Sequence, residues 1–170
     1  YFDRMTDLVD EEEVSLDALI SLNSVLGDHK IEIKRVSLSD TVESVNDKVQ
    51  NVLHLNQASL DVDIEESLVF LADRELIEMT IVSLIQHGLS QELKDKNLKL
   101  SVSSNDGLQM VFEFNGGSVS QDVIDGWLAK SNSDHKGYLS KVVQLKDLMD
   151  GSLQYLNIGE LHKITLSLNL

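Results

Sequence analysis

The sequence predicts an α+β fold: a two-layer α/β sandwich with a mixed sheet, helices on one face, and an extra helix at the N-terminus. Three observations predict it. Apolar residues switch repeatedly between helical spacing and strand alternation along the chain. Two strand pairs are joined by turn signals, Asn105-Asp106-Gly107 and Gly159-Glu160, which exclude a purely parallel sheet. The chain has 170 residues, of which 42 % are apolar, enough for one full core.

The elements follow in order. Leu16, Leu19, Ile20, Leu22, Val25 and Leu26 have helical spacing, and Gly27-Asp28 reads as the stop. Ile31, Ile33 and Val36 alternate with charged residues as a short strand. Ser39 or Asp40 caps a helix with the stripe Val42, Val45, Val49, Val52 and Leu53. Leu60, Val62 and Ile64 form a strand, and Leu68 to Leu71 is a second short apolar run. Asp73 opens a strongly apolar helix that stops near Gly88. Leu98, Leu100 and Val102 form one arm of a hairpin, and Met110, Phe112 and Phe114 form the other. Asn115-Gly116-Gly117 breaks the returning strand. Val123 to Leu128 and Leu139 to Met149 read as helices, with Trp127 as a core anchor of the first. Leu153 to Ile158 and Ile164 to Leu170 form a closing hairpin.

Composition excludes several function classes. The net charge is −15, from 29 acidic and 14 basic residues. Nucleic-acid backbones and anionic lipid surfaces are held by clustered Lys and Arg, so no nucleic-acid partner and no direct membrane contact are expected. The acidic run from Asp10 to Glu13 reads as a solvated helix start. There is no Cys, which removes disulfides, thiolate metal sites and Cys nucleophiles, and suits a reducing compartment. No apolar run has the length of a membrane span, and no signal peptide is expected from this stretch of sequence. The chain begins at Tyr1 and reads as part of a longer protein. There is no phosphate loop of the Walker type, no His-Glu-x-x-His helix and no Gly-x-Ser-x-Gly elbow.

Two segments carry a resemblance. Ser140-Lys141-Val142-Val143-Gln144-Leu145-Lys146-Asp147-Leu148-Met149-Asp150-Gly151-Ser152-Leu153 is similar to the helix and "E-L-M-G-G-S-I" turn of the catalytic ATPase domain of sensor histidine kinases. Asp73 to Ser90 is similar to that family's "D-x-x-R-L-x-Q-V-L-x-N-L-L-x-N-A-I-K" helix. The Asn105 hairpin and the closing hairpin fit the same order. The resemblance covers residues 31 to 170 and implies the Bergerat fold of the histidine-kinase ATPase superfamily. It divides the chain into residues 1–28, resembling the second helix of a dimerisation hairpin, and residues 29–170, the ATPase-like domain.

The resemblance also implies where a nucleotide would sit, and the chemistry at those positions departs from the family. Ser83 and His87 stand where the helix has two Asn residues. The second Asn supplies an amide oxygen to Mg²⁺, a hard ion for which imidazole nitrogen is a poor ligand. His87 is then a modified ligand, a phosphate contact, or a partly exposed helix-end histidine. Asn115 stands for the adenine-reading Asp of the "D-x-G-x-G" box, and Gly117 for its first Gly. An amide accepts the adenine amine less strongly than a carboxylate does. Lys136, Gly137 and Tyr138 stand at the second glycine box, with Tyr138 crowding the helix start that should receive phosphates. Ser131 to Asp134 looks like a remnant of the nucleotide lid. None of the five histidines is followed by an acid, and the chain has no Pro, so the family's acceptor-His motif is missing.

The implied function is a degenerate ATPase-like domain, a regulatory or structural module of two-component signalling that binds ATP weakly or not at all. No catalytic residue, metal or cofactor is assigned to it. The alternatives are an active kinase domain, with ATP and Mg²⁺ as cofactors and an acceptor His outside this chain, and a phosphotransfer protein using the fold as a scaffold. Expected partners are a second copy, through the N-terminal helix, and a response regulator or other signalling domain. The expected location is the cytoplasm, either free or as the cytoplasmic part of a membrane-bound sensor.

Overall fold

The computed structural model describes residues 31–65, 67–91, 93–104, 106–128 and 138–169. The expected N-terminal helix, Asn105, the 131–134 loop, Lys136 and Gly137 lie outside the described residues. The elements are β1 (Lys34–Ser37), α1 (Leu38–Leu55), β2 (Ser59–Ile64), β3 (Val69–Ala72), α2 (Arg74–Leu89), β4 (Asn97–Ser104), β5 (Leu108–Asn115), α3 (Gln121–Leu128), α4 (Tyr138–Leu148), β6 (Gly151–Ile158) and β7 (Leu161–Leu168). Their order is the one read from the sequence.

The main sheet has the strand order β2-β4-β5-β7-β6. β2 runs parallel to β4 and every other pair is antiparallel, so the sheet is mixed. Burial alternates strictly along β5 and β7, with Leu108, Met110, Phe112 and Phe114 on one strand and His162, Ile164, Leu166 and Leu168 on the other. Alternation of this kind means that one face of the sheet is covered and the other is partly wet.

Two details differ from the sequence reading. The first strand spans Lys34–Ser37 and pairs antiparallel with β3, in a two-stranded sheet apart from the main one. Ile31 and Ile33, expected in that strand, precede it and are exposed. The cap of α1 is Ser37, not Ser39 or Asp40: Asp40 N donates to Ser37 Oγ, and Thr41 Oγ1 donates to the Ser37 carbonyl. Starting the helix two residues earlier buries Leu38 completely, and apolar burial outweighs the choice between two polar caps.

α2 is the centre of the helical layer, packed on both α1 and α4. Its buried residues run almost continuously from Leu76 to Gly88, as expected of a helix covered on all sides. Gly88 sets how closely its C-terminal turn approaches the sheet. A Cβ there would lie 3.0 Å from Leu98 Cδ2 and 3.1 Å from the Phe112 ring. The neighbouring His87 is thereby held against β5 and the strands beyond it.

Asp73 fixes the other end of α2. Its Oδ1 accepts from Glu75 N at 3.0 Å and Leu76 N at 3.3 Å, while Oδ2 accepts from Glu32 N at 2.9 Å. One buried carboxylate thus caps the central helix and ties down the segment that leads into β1. Asp73→Ala is expected to cost about 2 kcal/mol, more than an ordinary cap, because three donors lose their acceptor. Urea midpoints of the two proteins measure it, and a loss below about 0.5 kcal/mol would contradict the assignment.

Candidate functional site

Six rings meet where the C-terminal end of α2 faces β5, β6 and β7. The sheet register makes the first contact. Phe114 lies directly opposite His162, and their rings stack with centroids 4.7 Å apart and planes 8° from parallel. Tyr155 of β6 lies one inward position away from His162 on the neighbouring strand, with its ring edge-on at 5.8 Å. His87 comes down from α2 and meets Phe114 and Tyr155, each at 5.8 Å and edge-on. Trp127 of α3 closes the cluster over His87 at 4.8 Å, and Phe112 lies below Phe114. Edge-to-face and offset contacts of this kind are the favourable aromatic geometries.

The polar atoms of these rings bond to one another. His87 Nε2 is 3.1 Å from the Tyr155 hydroxyl, and that hydroxyl is 2.7 Å from His162 Nδ1. His162 Nε2 is 2.8 Å from the Gly117 carbonyl oxygen. His87 is 3 % exposed and His162 is fully buried, so unpaired nitrogens here would be costly. Burial, with a smaller contribution from nearby His162, pulls the His87 pKa down from 6.5 to about 3. Burial also pushes the Tyr155 hydroxyl well above its ordinary value. Both groups are therefore neutral at physiological pH.

The Asn115–Val119 loop is clamped to the β6–β7 turn. Gly116 N donates to the Glu160 carbonyl at 2.8 Å, and Ser118 Oγ donates to the Gly159 carbonyl at 2.6 Å. Val119 N donates to Asn157 Oδ1 at 2.9 Å, and Asn157 Nδ2 donates back to the Gly159 and Leu161 carbonyls. On the other side Lys94 N donates to the Asn115 carbonyl at 2.9 Å. The exposed Lys94–Glu160 ion pair, at 3.9 Å, adds little.

The residues singled out from sequence fall as follows. Ser83 and His87 are one turn apart on α2 and both are buried, so His87 is not a partly exposed helix-end residue. Four residues along a helix return to the same face, and that face is here packed within the core. Asn115 points away from the ring cluster: on the alternating strand it follows inward Phe114, and its Nδ2 donates to Asp95 Oδ2 at 3.0 Å. That bond, with help from Asn97 N, holds the Asp95 carboxyl below its usual range. Gly117 joins the cluster only through its carbonyl, and a Cβ on it would meet open space. Tyr138 is the first residue of α4 and is half-buried. Trp127, read as a core anchor, packs against the core and is half-buried.

Tyr155 and His162 were not among the site residues expected from sequence. His162 shares the alternating phase of Ile164, Leu166 and Leu168, so an inward position was visible in the pattern. Tyr155 sits in a strand with apolar residues on both faces, which hides its phase.

His87 makes stability depend on pH. Below about pH 6.5 the unfolded chain takes up a proton there that the folded chain refuses until about pH 3. Stability therefore falls as pH falls through this window. Urea titrations between pH 6 and 5 should show a loss steeper by about 1 kcal/mol per pH unit than in His87→Gln. Equal slopes for the two proteins would contradict a buried neutral His87.

Among the described residues, no helix is long and apolar enough to cross a membrane, and no group of three or more His, Cys, Asp or Glu is gathered to hold a metal. No protein-family model matches the chain. No curated protein matches it. Solved structures do match in fold. The Acinetobacter baumannii histidine kinase AdeS is similar at a TM-score of 0.72 and 19 % identity, over 98 % of this chain and 84 % of that one. Full-length ShkA in complex with AMPPNP matches at 0.72 and 15 % identity, over 93 % of this chain and 36 % of that one. The nucleotide-free catalytic domain of histidine kinase ThkA matches at 0.71 and 13 % identity, over 81 % of this chain and 95 % of that one. Its mixed five-stranded sheet and helical layer give this chain the fold of the histidine kinase catalytic ATPase domain.

Proposed function

We propose that this domain is a non-catalytic relative of histidine kinase ATPase domains, a regulatory or structural module of two-component signalling with weak or no ATP binding. One observation carries the reading. The space between α2 and the end of β5, where the family places its nucleotide contacts, is filled by the stacked and hydrogen-bonded rings of Phe114, His162, Tyr155, His87 and Trp127.

The residues present do not fit Mg-ATP. His87 occupies the position of the metal-binding amide, and its Nε2 is engaged by Tyr155. An adenine-reading group must face the same space as His87. On β5 that phase belongs to Phe114, so the box is better read as Phe114-x-Gly116-x-Ser118 than from Asn115. An aromatic ring then stands where a carboxylate would accept the adenine amine, and Ser118 stands where the second Gly would be. Tyr138 at the start of α4 adds a bulky side chain at the phosphate end. Histidine kinases signal as dimers with a response regulator, and the same partners are proposed here.

Thermal unfolding with and without millimolar Mg-ATP tests the reading. The expected result is an unchanged melting temperature. A ligand at 100 times its dissociation constant stabilises by about 2.7 kcal/mol, which is several degrees for a domain of this size. A shift of that size would overturn the reading in favour of a nucleotide-binding kinase domain.

A further inference from the structure

We infer that His87, Tyr155 and His162 form a one-way hydrogen-bond latch that holds the Asn115–Val119 loop shut over the ring cluster, with Tyr155 as its pivot. The latch goes beyond the function proposed above and rests on the hydrogen-bond distances alone.

The direction of every bond follows from one end. A carbonyl oxygen only accepts, so His162 Nε2, 2.8 Å from the Gly117 oxygen, carries the proton. A neutral imidazole has one N–H, so His162 Nδ1 is an acceptor. The Tyr155 hydroxyl, 2.7 Å away, therefore donates to it. Having given its only proton to His162, the hydroxyl accepts from His87 at 3.1 Å, which puts the His87 proton on Nε2. The chain runs from α2 through β6 and β7 to the loop, and no member can reverse without orphaning a buried group.

The latch spans elements far apart in sequence: 68 residues separate His87 from Tyr155, and 45 separate Gly117 from His162. Packing restricts its members further, because the His162 ring lies flat on Phe114 and the His87 ring is edge-on to Trp127. Among the described residues, no carboxylate or ammonium group bonds to any of the three rings. Lys94, Asp95 and Glu160, the charged groups nearest the loop in the bonding pattern, engage its outer side. Tyr155 is a positioning residue: its hydroxyl donates to His162 and accepts from His87, so it fixes the His87 tautomer and links α2 to the ring that holds the loop.

Two measurements test the latch. Ring-nitrogen NMR on the wild-type chain near neutral pH should find both His87 and His162 as the Nε2–H tautomer. In Tyr155→Phe the His87 ring, left without its acceptor, should lose that single signature and become a tautomer mixture. Amide hydrogen exchange of Gly116 and Val119 should then accelerate at least tenfold, while Leu100 and Phe112 in the sheet centre keep their protection. His162→Phe, which keeps the stack on Phe114 but has no polar atoms, should release the same two amides. An Nδ1–H tautomer at either histidine in the wild type would overturn the latch, without needing any variant to fold. Unchanged exchange of Gly116 and Val119 in both variants would also overturn it. The tautomers and exchange rates are read without nucleotide, so the latch fails or stands separately from the Mg-ATP result.

Discussion

The pleat of β5 turns every second side chain toward the helices, and the rest of the site depends on which residue receives the last inward position. Phe114 receives it. Because β5 and β7 are paired with Phe114 opposite His162, an aromatic ring there stacks flat on an imidazole. The imidazole is then too deeply buried to leave its nitrogens unpaired. One nitrogen takes Tyr155 from the neighbouring strand and the other takes the Gly117 carbonyl from the loop. A single step of strand register thus decides both what fills the space beneath α2 and how the glycine-bearing loop is held.

The helical layer supplies the fourth wall. α2 is capped by a buried Asp73 at one end and brought close to β4 and β5 by Gly88 at the other. His87 precedes that glycine, so the close approach drives its ring among Phe114, Trp127 and Tyr155. Burying a neutral histidine there costs little while it donates to Tyr155, and much once it is charged. The aromatic contacts and the hydrogen bonds act together: the rings exclude water, and the dry surroundings strengthen each bond of the chain.

Much of the fold was legible in the sequence, because its signals are local. The Asp73 helix, the two hairpins and the period-two strands can each be read within ten or twenty residues. The separate pairing of β1 with β3 was not legible, since it joins segments over thirty residues apart and no local pattern assigns a strand to one sheet or another. The cap of α1 was misplaced because several polar residues could serve, and burial of Leu38 chose among them. At the site, His87 and the Asn115–Gly117 loop were picked out, but their surroundings were not. Asn115 was picked out by residue type alone, and the strand phase, which decides where a side chain points, turns it toward Asp95 and turns Phe114 inward. The partners that complete the cluster, Tyr155 and His162, come from the closing hairpin, and only the folded sheet brings them under α2.

On the proposed reading, the chain's own rings occupy the space a nucleotide would need. The most direct measurement uses Trp127, the only tryptophan, whose ring lies 4.8 Å from His87. Titrating Mg-ADP to millimolar concentration while following the Trp127 indole and His87 ring signals by NMR reads that space itself. The account predicts no saturable change in either signal. A saturable shift of both, with a dissociation constant in the micromolar range, would show that the rings part to admit the nucleotide and would contradict the account.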